Sequence, residues 1–373
     1  MAYIAAFALD REQSEIVLNS GISSIFSKTI GAVVHTTDKP VTVDILAVAQ
    51  TAASGLYGFS DVLSSVGVTW ESTVAQTEVK PLFNVRILAA SRKPFTCVSG
   101  AIVVPDASTN DVDPGQIVLV PAVRAPVSER WTADEPSIYE WLASIDRTQT
   151  RIASACTGAL VLAEAGILDG HEATTHWAYR HVFQQYYPRV RLCLEKNLCT
   201  SGDDDQLITS GGASAWQGLA LDLISRYCGH ERAIQAARLW LMAATGALQS
   251  PYSAALVKRQ HDDPVIRRCE SWIAKHFDIG NPVDAMTELS ELAPTTFSRR
   301  FKRATSYSPI EYVQAVRIEA AKSMLESKNT SIDKIGRRVG YEDTASFRRL
   351  FKRRVGVSPT NYRRRFGGTR FED

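Results

Sequence analysis

Cys156 is the side chain of this sequence best placed for nucleophilic chemistry. Ile152-Ala153-Ser154-Ala155 reads as a short strand, and Cys156-Thr157-Gly158-Ala159 opens the helical run behind it. A thiol on such a strand-to-helix elbow needs small neighbours, and a helix N-terminus beside it favours the thiolate. The bland alternative is a small buried hydrophobe, the usual role of a single Cys before a helix.

A second chemistry is carried by basic residues near the C-terminus. Offset by 50 residues, Phe297, Arg299, Phe301, Lys302, Arg303, Ser308, Pro309 and Tyr312 meet identical residues at Phe347, Arg349, Phe351, Lys352, Arg353, Ser358, Pro359 and Tyr362. Eight identities in a window of 16 far exceed the roughly one expected from ordinary composition, so a unit is duplicated. At about 100° per residue, Phe297, Phe301 and Ala304 share one helix stripe and Thr295, Arg299 and Lys302 the opposite one. In the second copy Phe347, Leu350 and Phe351 oppose Ala345, Arg349 and Lys352. A short helix and a turn precede each: Val283 to Ser290 before the first, Ile332 to Val339 and Gly340-Tyr341-Glu342-Asp343 before the second. This is a helix-turn-helix written twice, at about 283–304 and 332–354. The aromatic stripe would hold the second helix of each unit while its outer stripe enters a DNA major groove, where Arg can reach guanine O6 and N7.

The elements that must position these residues fall into two regions. Val43 to Ala49, Val85 to Ala90, Val98 to Val104 and Ile117 to Val120 read as strands, several of them continuously apolar as strands buried on both faces are. Helical patterns at Ser137 to Asp146, Thr157 to Leu168 and Ala215 to Tyr227 alternate with them, which predicts a doubly wound, mostly parallel α/β domain over 41–230. Residues 1–40 are an extension without an assigned role. Glu231 to Leu248 reads as one more helix, and a polar, turn-rich stretch completes a 231–262 linker region. Over 263–366 only short helices remain, broken by Asn281-Pro282, Ala293-Pro294, Ser308-Pro309 and Ser358-Pro359, and 367–373 is a tail.

Composition narrows the function classes. With 373 residues, 45% hydrophobic and 22% charged, the chain is of ordinary globular character, not disordered or fibrous. No apolar run approaches the roughly 18 residues of a membrane span, and the N-terminus lacks the basic start of an export signal, so a cytoplasmic protein without membrane contact is expected. The six cysteines have neither a disulfide framework's density nor zinc or dithiol spacing, so neither a metal nor a cofactor is expected. Residues 1–257 carry 18 Lys+Arg against 25 Asp+Glu, and residues 258–373 carry 24 against 15. A back region of +9 behind a front of −7 suggests a polyanion partner for the former.

Ser331-Ile332-Asp333-Lys334-Ile335-Gly336-Arg337-Arg338-Val339-Gly340-Tyr341, followed by Phe347 to Phe351, Gly356-Val357-Ser358-Pro359 and Tyr362-Arg363, resembles the AraC family of transcription regulators over about 263–366. The first copy departs from that pattern at Thr287, where small residues are usual, and at Ala293, where a capping Ser is frequent. The resemblance implies base-facing roles for Thr295, Ser298 and Arg299 and for Thr344, Ala345, Arg348 and Arg349. Phosphate contacts would fall to Lys302, Arg303, Lys352, Arg353 and Arg354, fixing register without reading sequence.

The run from Ala155 to Gly170, continuing through Ala173-Thr174-Thr175-His176-Trp177 and Thr209-Ser210-Gly211-Gly212, resembles the class I glutamine amidotransferase-like superfamily, and within it the PfpI-type domain of AraC regulators. That likeness implies a flavodoxin-like sheet, His176 near Cys156, and a ligand pocket including Cys156, Thr157 and His176. Enzymatic relatives add a glutamate from the loop after the first strand, but here Gln50 to Gly58 holds no acid, which argues against general acid/base support for the thiol. The reading is a regulator of double-stranded DNA controlled by a small, nitrogen-containing effector, homodimeric through its front domain, and touching RNA polymerase if it activates. The alternatives are a cysteine hydrolase or deglycase with an accessory DNA domain, and a redox switch at Cys156.

Overall fold

The computed structural model describes residues 39–133, 135–212, 214–242, 251, 253–256, 261–327 and 330–366. Most of the N-terminal extension and all of the tail lie outside them. The chain divides into two compact units, Met1–Gln249 and Ser250–Asp373. Among the described residues no helix is long and apolar enough to cross a membrane.

The front unit is built on a seven-stranded sheet. Its strands are β1 (Val41–Leu46), β2 (Phe83–Ala89), β5 (Ala107–Ser108), β6 (Ile117–Val120), β7 (Arg151–Ala155), β10 (Leu198–Ser201) and β11 (Leu207–Ser210), in the order β10-β11-β7-β6-β1-β2-β5. All neighbours are parallel except β10 on β11. The middle strands read as continuous apolar runs because both their faces are covered. On one face lie α1 (Ala53–Ser64), α5 (Ala215–Cys228) and α6 (His230–Leu239), on the other α2 (Ser137–Ser144), α3 (Gly158–Glu164) and α4 (Arg180–Tyr186). This is the doubly wound architecture expected, with a buried carboxylate in its central sheet. Asp44 of β1 is fully buried, accepts two hydrogen bonds from Arg86 at 2.7 and 2.9 Å, and takes a third from Gly115 N–H at 2.6 Å.

Two expected elements differ. Val98 to Val104 is not one strand: β3 (Phe95–Thr96) and β4 (Ile102–Val103) form an antiparallel pair, because Gly100 adopts φ +85° and turns the chain back. The helix expected over Glu231 to Leu248 is α6, which ends at Leu239. It packs Ala233, Ala236 and Ala237 into the front core, so it is part of that unit's fold as well as of the region leading out of it. Two further strands, β8 (Glu172–Ala173) and β9 (Arg191–Leu192), pair in parallel apart from the main sheet.

The back unit contains α7 (Pro264–His276), α8 (Pro282–Ser290), α9 (Pro294–Thr305), α10 (Pro309–Ser327), α11 (Ile332–Arg338), α12 (Thr344–Val355) and α13 (Pro359–Phe366). Each duplicated segment has its own core. Phe297, Phe301 and Tyr312 anchor one, and Phe347, Phe351 and Tyr362 the other. The copies agree in ring geometry: Phe301 meets Tyr312 edge-on at 5.3 Å and 83°, and Phe351 meets Tyr362 at 5.6 Å and 80°. Both tyrosines donate to carboxylates, Tyr312 to Glu270 at 2.9 Å and Tyr362 to Glu326 at 2.6 Å. The 19-residue α10, about 28 Å long, belongs to both cores, giving Tyr312 and Val313 to one and Ile318, Ala321 and Leu325 to the other.

Candidate ligand pocket and DNA-binding surface

Cys156 sits between the end of β7 and the start of α3 with φ +55°, a left-handed backbone that non-glycine residues avoid. Surrounding contacts over-determine it. Its N–H donates to Ser210 O at 2.7 Å, and its carbonyl accepts from Thr175 Oγ1 at 2.8 Å. Gly158 is required two residues on, since a Cβ there would stand 2.4 Å from Val120 O and 2.6 Å from Pro121 O. The Thr157 hydroxyl is engaged by the backbone: it donates to Val123 O and accepts from Val123 N–H at 2.9 Å.

The thiol of Cys156 is buried, and burial pushes its pKa up, opposed by the N–H groups of Thr157 and Gly212. Those donors face the sulfur as they would face an anion formed there. His176 follows Thr175 directly and caps the short 3-10 turn Trp177–Tyr179, its Nδ1 accepting from Ala178 N–H at 3.2 Å. That bond leaves the proton on Nε2, and burial holds the ring's pKa below the ordinary histidine value. Among the described residues no hydrogen bond joins His176 to Cys156. The Tyr179 phenol donates to Ala125 O at 2.7 Å and lies close enough to Cys156 for a thiolate there to raise its pKa, although burial is the larger cause.

The loop after β1 carries no acid but borders a cavity of about 200 Å³ beyond the carboxyl ends of β1 and β2, where open α/β sheets take their ligands. Gln50, Ser91, Lys93, Phe95 and Glu135 are among its lining residues. The Gln50 Oε1 is buried without a hydrogen-bond partner. Sequence reasoning missed this cavity and Tyr179. The strand-end rule points to the cavity's place, whereas nothing local ties Glu135 to Gln50.

In the back unit Thr295, Ser298, Arg299, Lys302 and Arg303 on α9 are exposed, as are Ala345, Arg348, Arg349, Lys352 and Arg353 on α12, with Thr344 half-buried. Arg348 pairs with Asp333 of α11 at 2.8 Å, and Arg349 donates to Ser346 Oγ at 2.8 Å. Arg354, expected at a phosphate, donates to Gln314 of α10 at 3.1 Å. The second unit is capped by Asp343, which accepts from Ala345 and Ser346 N–H, and Gly336 lets the helices close to 3.1 Å from a notional Cβ to Phe347. In the first unit Ala293 supplies no cap, and Pro294 at the first helical position needs none for its own missing N–H. Glu291 there takes the left-handed turn position, φ +56°, that Gly340 takes at +85° in the second.

Arg317 of α10 ties the two units together. It donates to Phe277 O and Ile279 O, both at 2.7 Å, at the end of α7, and lies over the ring of Tyr341 in the second unit's turn.

Comparison with known proteins agrees with this architecture. Residues 60–226 match the DJ-1/PfpI family and residues 287–365 a helix-turn-helix domain. The chain is 27% identical over 311 residues to the HTH-type transcriptional regulator CdhR of Pseudomonas aeruginosa, covering 83% of this chain and 89% of that one. It is 25% identical over 240 residues to the HTH-type transcriptional regulator GlxA of Rhizobium meliloti, covering 63% and 72%. Among solved structures, an AraC family transcriptional regulator from Pseudomonas putida aligns at 17% identity with a TM-score of 0.43, over 54% of this chain and 100% of that one. A DJ-1/PfpI-type domain ahead of a duplicated helix-turn-helix defines a DNA-binding transcription regulator. In this order of domains the chain is similar to HTH-type transcriptional regulators such as CdhR and GlxA.

Proposed function

We propose that this regulator works as one component: its front domain binds a small, nitrogen-containing metabolite without turning it over, pairs with a second copy, and thereby controls how the back unit engages double-stranded DNA. If it activates, the DNA-bound form contacts RNA polymerase. The observation that carries this reading is the state of the elbow. Cys156 keeps the strained backbone of a nucleophile, yet its thiol is held protonated by burial and the loop after β1 offers no acid. General acid/base help is worth about 10² to 10⁴ in rate, so the site is suited to binding. The unpartnered Gln50 Oε1 and the Glu135 carboxylate present acceptors to a ligand bearing N–H groups.

The elbow's strain itself favours the runner-up, a cysteine hydrolase or deglycase. The experiment that separates them pairs a thiol-reactivity assay with a reporter carrying Cys156→Ser. The proposal expects slow thiol alkylation, no multiple-turnover hydrolase or deglycase activity in the parent, and a retained reporter response in the variant. Turnover that is lost in Cys156→Ser would overturn it, and a response that needs an oxidant and Cys156 would replace it with a redox switch.

A further inference from the structure

Glu172 in β8, Cys193 just after β9 and Cys199 in β10 bring a carboxylate oxygen and two sulfurs within 4.8 Å of one another. No zinc motif has their spacing, and strand pairing alone assembles them. A tetrahedral Zn²⁺ with sulfur at about 2.3 Å and oxygen at about 2.1 Å needs ligand atoms about 3.6 to 3.8 Å apart, within reach of small side-chain rotations.

The backbone around the cluster is fixed from several directions. Glu172 pairs with Arg191 across β8 and β9, and its carbonyl accepts from Ser201 Oγ at 2.8 Å. The Cys193 N–H donates to Ala173 O at 2.8 Å, and Cys199 pairs with Thr209 across β10 and β11. Cys199 is buried while Cys193 and Glu172 are half-buried, so the cluster is closed behind and open in front. Two soft thiolates with one carboxylate select a Zn²⁺-class ion over Mg²⁺ or Ca²⁺.

A bound cation deprotonates a coordinating thiol outright, so buried thiols can serve as ligands. The Lys196 ammonium lies 3.3 Å from Glu172 Oε2 with both groups about half exposed, so it neutralises the carboxylate and gives way at little cost.

We propose that Glu172, Cys193 and Cys199 form a site for one Zn²⁺-class cation, with a fourth position open to water or another ligand. β8 runs on through Thr174 and Thr175 into His176, so the cation would fix the base of the segment that carries His176.

The test is a Co²⁺ titration of the reduced full-length chain, followed by thiolate-to-cobalt charge-transfer absorption. One equivalent should bind and be displaced by Zn²⁺. Cys193→Ser, at a half-exposed position that tolerates change, and Cys199→Ser should abolish the band. Glu172→Gln should weaken binding about tenfold or more, and Cys228→Ser should leave it intact. Absence of the band, a band that survives Cys193→Ser, or a Cys193–Cys199 disulfide forming in air while the reduced chain takes up no cobalt would each overturn the proposal.

Discussion

The Arg317 guanidinium lies 5.0 Å above the ring of Tyr341 while donating to two carbonyls of the segment between α7 and α8, whose Phe277 packs on the first core, so one buried side chain fixes that segment and the second unit's turn on a shared helix. Two recognition helices can read DNA in one register only if the frame between them is rigid. Lys cannot supply this planar fork of donors. Arg317→Lys should lower the stability of the back unit by about 1.5 kcal/mol or more in urea unfolding and weaken DNA binding further than Arg299→Lys does. Gly340→Ala should act alike, since its Cβ would stand 2.6 Å from Arg317 Nη2 at φ +85°. Unchanged stability in both variants would remove Arg317 from this role.

The unequal caps of the two recognition helices give a stabilising change. Ala293 has the extended backbone of a cap position, φ −62° and ψ 143°, with no side chain to accept a hydrogen bond. Ala293→Ser should raise back-unit stability by about 1 kcal/mol, read as a higher denaturation midpoint with an unchanged slope.

Acid should loosen the same unit. The hydrogen bonds from Arg300 hold the Asp263 carboxyl below the ordinary carboxylate range, and N–H bonds from Ile266 and Val265 add to this. Asp333 and Asp343 are lowered too, chiefly by Arg348 and by Ser346 respectively. A depressed folded pKa means stability that is complete above the unfolded value, about 3.9, and lost as pH falls from there through the folded value. Melting temperature should therefore fall below about pH 4, and less steeply in Asp263→Asn. A parent and variant with parallel pH profiles would contradict the assignment.

The exposed stripe of α12 separates into reading and anchoring. Arg349→Ala should cost about 1 to 3 kcal/mol of DNA affinity and relax preference at one base position. Lys352→Ala should weaken all sequences alike and lower the salt slope by about one. Identical effects of the two changes on base preference would show the faces to be assigned wrongly.

Much of this was legible in the sequence because its signals are local. The helical period sets Arg299 and Lys302 opposite Phe297 and Phe301, and these side chains are exposed and buried accordingly. Ala155, Gly158 and Ala159 mark the Cys156 elbow for the same reason. What stayed hidden depends on distant partners. Arg317 looks like any surface Arg until Phe277, Ile279 and Tyr341 close around it, and the bond from Arg354 to Gln314 spans two elements that no local pattern joins. The hairpin of β3 and β4 was hidden by an apolar run in which one glycine outweighed strand propensity. The cluster of Glu172, Cys193 and Cys199 exists only through strand pairing.

Selection of duplexes from a random-sequence pool by the full-length chain, with hydroxyl-radical footprints at about 50 and 200 mM salt, tests the central claim most directly. The structure predicts enriched sites protected in two major-groove segments about 10 base pairs apart on one face of the duplex, with affinity falling steeply between the two salt concentrations. A single protected segment, or binding that is indifferent to both sequence and salt, would contradict a regulator that reads DNA through two recognition helices.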